Sequence, residues 1–128
     1  MKVAVAVIFD ANNQILITQR PLNKPYGGYW EFPGGKVEEQ ETPQDALVRE
    51  IDEEIGIHII SSSYLGLVIN EEPTPAVNLL IYRVDKFQGE PICRESQLAM
   101  RWVALNKLSD YAFPKANQNI LNLIQAHS

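Results

Sequence analysis

The segment from Thr42 to Gly56 constrains the fold more than any other part of the chain, because it carries both a start and a stop for a helix. Thr42-Pro43-Gln44-Asp45 places a hydroxyl N-cap before a proline at the first helical position, and Gly56 supplies a C-terminal stop. The spacing predicts a helix from Pro43 to about Ile55. At about 100° per residue, Leu47, Val48, Ile51 and Ile55 fall in one apolar sector that should face a core. Glu50, Glu53 and Glu54 fall in another, in the i, i+3, i+4 arrangement, with only Ala46 beside them. Two readings fit that acidic sector. As a solvated face, carboxylates about 6 Å apart repel by under roughly 1 kcal/mol per pair in water. As a cleft wall with an effective dielectric near 20, the same pairs cost about 3 kcal/mol each, and a bound cation is the remedy.

The rest of the chain limits what surrounds this helix. A length of 128 residues fits one domain, residues 1–128, large enough for its own core. Cys93 is the single cysteine, so no internal disulfide is available, and with His58 and His127 far apart in sequence no zinc cluster is expected. A reducing, cytoplasmic setting is expected on that ground. The opening run Met1 to Phe9 is too short and too β-branched for a signal peptide or membrane span and reads as a buried strand. A net charge of −5 gives no footprint for a nucleic-acid polymer, and an acidic chain that holds an anion needs a cation or local basic groups.

Along the chain, Lys2–Phe9 and Ile15–Gln19 read as strands joined by a polar turn, predicting a hairpin. Residues 21–30 read as loop, followed by Glu31-Phe32-Pro33-Gly34-Gly35-Lys36-Val37, whose paired glycines let backbone approach something closely. Tyr64–Ile69, Val77–Val84 and Met100–Ala104 read as strands, and Ala116–Gln125 as a final amphipathic helix. Strands mixed with two helices predict an α/β sandwich.

The helix does not stand alone. Gly35, five residues, Glu41, seven residues, then Arg49-Glu50-Ile51-Asp52-Glu53-Glu54-Ile55-Gly56-Ile57 matches all nine specified positions of the pattern G-x5-E-x7-R-E-U-x-E-E-x-G-U, with U an apolar aliphatic. The chain thereby resembles the Nudix family. The resemblance implies a Nudix fold, a mixed β-sheet sandwiched between helices, and hydrolysis of a phosphoanhydride in a nucleoside diphosphate derivative. It implies Glu50, Glu53 and Glu54 as metal ligands and catalytic residues, with Glu53 assisting the attacking water. The carbonyl of Gly34 matches a backbone metal ligand, and Arg49 with Glu41 matches an ion pair tying helix to loop. An all-oxygen set selects Mg²⁺, with Mn²⁺ as the alternative.

Further residues resemble the MutT-type members, which convert oxidised purine nucleoside triphosphates to monophosphate and pyrophosphate: Thr18-Gln19-Arg20, Glu31 to Lys36, Gln88-Gly89-Glu90-Pro91 and Phe113-Pro114-Lys115-Ala116-Asn117. The implied substrate is 8-oxo-dGTP and the implied role nucleotide-pool sanitation, which limits mutation. Asn117 matches the purine-reading residue. Its amide sets an acceptor beside a donor, complementing a base with hydrogen on N7 and an acceptor at O6. N-capping of the last helix is the alternative role for Asn117. Arg20 matches a substrate-contacting arginine, with a solvated strand end as the alternative; Phe32 could line the base pocket or pack in the core. Glu95 aligns with a loop carboxylate that approaches the metals. Tyr26, Tyr29 and Trp30 could stack on a base but read mainly as packing. Glu71 to Ala76 is a loop of this chain's own sequence in a region that helps form the family's base pocket. Other substrates remain open: a pyrimidine triphosphate, a dinucleoside polyphosphate or a nucleotide sugar. So does a non-catalytic nucleotide sensor, against which the complete glutamate set argues. The expected partner is a small nucleotide, with no membrane; oligomeric state is open, a monomer being the simplest expectation.

Overall fold

The computed structural model describes residues 1–71 and 75–127. Its centre is β1 (Lys2–Ile8), the run that the sequence makes apolar on both faces. Alternate residues of β1 feed two separate cores. Ala4, Ala6 and Ile8 pack against Leu47, Ile51 and Ile55 of α1 (Pro43–Ile55). Val5 and Val7 pack on the opposite side with Ile120, Leu121 and Ile124 of α2 (Lys115–Ala126). The sheet is therefore sandwiched between helices, and the two small alanines let α1 approach its backbone closely.

A four-stranded mixed sheet runs β4 (Gly34–Lys36), β1, β6 (Val77–Gln88), β5 (His58–Asn70). β1 is parallel to β6 and antiparallel to β4, with Val5 opposite both Ile81 and Gly34. A second sheet of three strands runs β3 (Trp30–Glu31), β2 (Gln14–Gln19), β7 (Ala99–Ala104). The expected hairpin between the first two strands is corrected by this arrangement. Its turn forms, with Asp10 Oδ1 accepting from the backbone of Asn12 at 2.9 Å and Gln14 at 2.8 Å. Among the described residues the two segments share just the isolated Phe9–Ile15 bridge beyond that turn, because β4 and β6 already occupy both hydrogen-bonding edges of β1. β2 therefore ladders with β3 and β7.

The predicted helix boundaries hold. Thr42 Oγ1 accepts from Asp45 N at 3.1 Å, and Gly56 takes the left-handed conformation at φ 72° with its N–H on the Asp52 carbonyl. Such an N-cap contributes about 1 kcal/mol. β5 starts six residues earlier than the apolar pattern of Tyr64–Ile69 indicates, at His58, and its pairing with β6 shifts register around Ser61 and between Tyr64 and Gly66. A 3-10 turn over Leu105–Asp110 buries Leu108 and was not indicated by periodicity.

Candidate active site

The two glycines are present for space. Neither has a positive φ. A Cβ on Gly34 would strike the Ala4 carbonyl of β1, and one on Gly35 would overlap the Glu50 carboxyl. The acidic face of α1 is thus laid over β4. Ala46, in the same sector, is fully buried, so this face is not the open solvated surface that one reading of the sequence allowed. Glu50 keeps only 17% of its side chain exposed, whereas Glu53 keeps 50%.

Arg49 ties the loop to the helix. Its Nε and Nη2 donate to the two Glu41 oxygens at 2.7 and 2.8 Å, and Nη2 also donates to the Lys36 carbonyl at 3.1 Å. Its Nη1 reaches Glu50 at 2.8 Å and Glu53 at 3.4 Å. The guanidinium and the Glu38 backbone N–H together hold the Glu41 carboxyl down to about 2.

The remaining carboxyls are held the other way. Burial, followed by repulsion from Glu31, Glu50 and Glu95, pushes Glu54 up to about 9, with a hydrogen bond from the Gly34 backbone partly opposing. Burial also raises Glu50 against the pull of Arg49, and raises Glu31 against the pull of Arg20. Glu95 is exposed, on a segment pinned to the end of α1. Arg94 N and Gln97 Nε2 donate to the Glu54 carbonyl at 2.9 and 3.0 Å, and Ile92 N donates to the Ile55 carbonyl at 2.9 Å. These bonds satisfy carbonyls that a helix end leaves unpaired. They also carry Glu95 to the α1 carboxyls.

In this conformation no three Asp, Glu, His or Cys side chains among the described residues already stand as a ligand set, since Glu50 and Glu53 turn to Arg49. The donor chemistry nevertheless suits a hard divalent cation: oxygen ligands only, crowded enough that one carboxyl holds its proton beyond neutrality. A cation there would replace that proton.

Beside this corner lies a cleft of about 620 Å³ lined by Arg20, Phe32, Gly34 and Asn117. Glu50, Glu53, Glu54 and Glu95 do not line it. Gly34 and Glu31 form the junction, Glu31 through its repulsion of Glu54. Arg20 is held by Glu31 at 2.9 Å and by the Pro25 carbonyl at 2.7 Å, so it is no free strand end. Phe32 is 5% exposed and stacks on Phe113 with centroids 5.3 Å apart, serving both core and cleft floor. Asn117 does not cap α2, whose N-cap is Pro114 without a side-chain bond; Asn117 lies three residues further on. Trp30 packs on Tyr111, and Glu71 lines the cleft. Glu72, Pro73 and Thr74 of the expected loop lie outside the described residues.

Glu31, Lys115 and Asn119 also line the cleft, and their spacing alone assigns them no role. The one sequence signal for Glu31 is its place directly before Phe32, a candidate cleft residue.

The NUDIX domain family matches residues 1–125. The chain is 36% identical to the 8-oxo-dGTP diphosphatase of Escherichia coli K12, over 94% of this chain and 93% of that one. It is 34% identical to the CTP pyrophosphohydrolase of the same organism, over 95% and 90%. Among solved structures, a MutT from a study of the Aliivibrio salmonicida and Vibrio cholerae proteins superposes with a TM-score of 0.85 at 34% identity, covering all of both chains. The chain belongs to the Nudix family. It is a MutT-like nucleotide pyrophosphohydrolase with a Nudix fold, of a class that uses divalent metal ions. No helix among the described residues is long and apolar enough to cross a membrane.

Proposed function

We propose that this enzyme hydrolyses 8-oxo-dGTP to 8-oxo-dGMP and pyrophosphate, with Mg²⁺ as its metal, and so cleanses the nucleotide pool. The carrying observation is that Arg20, just after β2, Phe32, between β3 and β4, and Asn117 of α2 line one cleft that meets the acidic helix where the Gly34 backbone bonds Glu54. Glu50, Glu53, Glu54 and Glu95, with the Gly34 carbonyl, would hold the metal. Bound there, it would supply charge neutralisation for the phosphates and polarisation of the attacking water. Glu53, the most exposed of the three α1 glutamates, would accept a proton from the attacking water. Arg49 keeps Glu50 and Glu53 against the helix, and Arg20 places positive charge in the cleft wall. Asn117 reads the N7–O6 edge with one donor and one acceptor, a pairing that ordinary guanine, with two acceptors there, leaves incomplete.

A second reading, a pyrimidine triphosphate substrate, is favoured by the 34% identity to the CTP pyrophosphohydrolase. One assay separates them. The purified chain with Mg²⁺ is given 8-oxo-dGTP, dGTP and CTP, and kcat/KM and products are measured. A preference for 8-oxo-dGTP with pyrophosphate released supports the first reading. Preference for CTP replaces it with the second, and absence of turnover on all three overturns both.

A further inference from the structure

The cleft has an exposed aromatic on its rim that its surroundings do not account for. Tyr26 lines the cleft and leaves 59% of its surface open. Its backbone is left-handed, at φ 59°, a region that a bulky residue enters only at a cost. Burial does not offset that cost. The ring's aromatic neighbour is Tyr29, itself 42% exposed, met edge to face at 5.8 Å. Nor is the loop short of glycine, since Gly27 and Gly28 follow directly and Gly28 takes a positive φ of 84°. Strain of this kind persists where surrounding bonds over-determine it.

Those bonds converge on Arg20. Its N–H donates to the Tyr29 carbonyl at 2.9 Å, its carbonyl accepts from Gly28 N at 2.9 Å, and its Nε donates to the Pro25 carbonyl at 2.7 Å. Gln19 Nε2 adds a bond to the Gly28 carbonyl at 2.9 Å. The loop is therefore held by an arginine that itself lines the cleft, and the ring of Tyr26 is placed on the rim with little freedom left to lose on binding.

We propose that Tyr26 is a further substrate-binding residue that stacks on the nucleobase; this rests on the nucleotide-hydrolase reading above. Asn117 reads the edge of the base, and Tyr26 takes its face. Stacking accepts any planar base but gains more from a purine's larger surface, so it adds to a purine preference without replacing edge recognition.

The test uses the full chain with Tyr26→Phe, Tyr26→Leu and Tyr26→Gly. Measured are KM and kcat on 8-oxo-dGTP, Kd for 8-oxo-dGMP and for inorganic pyrophosphate, and Tm. Leu and Gly should raise KM and the mononucleotide Kd about tenfold, with kcat and pyrophosphate affinity near wild type, while Phe retains binding. Tyr26→Gly should keep or raise Tm, because glycine adopts this conformation freely. Unchanged mononucleotide binding in Tyr26→Leu, or equal loss of pyrophosphate binding, overturns the stacking role. A wild-type chain that binds 8-oxo-dGMP through Tyr26 yet hydrolyses no nucleotide overturns the hydrolase reading alone.

Discussion

The two ends of the site are built differently. The acidic end is built on one stretch, Gly34 to Gly56, whose parts lock to each other, Glu50 over Gly35, Arg49 on Glu41, Thr42 and Gly56 capping the helix between them, with Glu95 alone added from a distant segment. The cleft end is assembled from residues 3–5, 20–34, 69–71, 79 and 114–120, and its helix α2 has Pro114 as an N-cap without a side-chain bond. The difference teaches a division of labour. A rigid local unit can carry chemistry common to many substrates, while a wall made from several elements can be altered piece by piece to change the base.

If that division holds, damage to the acidic end should stop turnover without touching recognition. Glu53→Gln should lower kcat by about 10²–10⁴-fold, with the nucleotide Kd near wild type, measured by single-turnover kinetics and calorimetry. A comparable loss in Kd would merge the two regions. Gly35→Ala tests the packing of the same unit. Its methyl overlaps the Glu50 carboxyl, so we expect about 1–3 kcal/mol lower stability in urea together with reduced metal affinity. A neutral outcome would mean that Glu50 moves aside freely.

A smaller effect concerns pH. Glu54, held up to about 9 in the folded metal-free protein, keeps a proton that the unfolded chain releases above about 4.5. The folded state thus binds more protons across that window, and metal-free stability should fall as pH rises through it. Glu41, held down to about 2, acts oppositely: its contribution is full above about 4.5 and is lost as pH falls toward 2. Tm in EDTA should therefore be highest near pH 5. Glu54→Gln should flatten the alkaline limb, and added Mg²⁺ should oppose it; a limb unchanged by that substitution would assign the crowding elsewhere.

The same contrast governs what could be read from the chain beforehand. Helix caps, the paired glycines and the Arg49–Glu41 tie depend on neighbours within about twenty residues, so spacing reveals them. The fate of β2 depends on which strands already flank β1, and that is decided by Gly34–Lys36 and Val77–Gln88, far along the chain. The early start of β5 was hidden by Ser61-Ser62-Ser63, which interrupts the apolar pattern where the register shifts. Asn117 was ambiguous for a similar reason: a polar residue near a helix start reads as a cap until Pro114 is seen to hold that position. Spacing is silent on Glu31 because its partner Arg20 lies eleven residues away across a strand pair.

The most direct test of the division is the ratio of kcat/KM for 8-oxo-dGTP over dGTP, measured with Mg²⁺ in the wild type and in Asn117→Ala. The account predicts a high ratio in the wild type that falls about tenfold to hundredfold in the variant, with kcat on either nucleotide largely kept. A ratio that survives the loss of the Asn117 amide, or a variant that loses kcat as Glu53→Gln does, would contradict it.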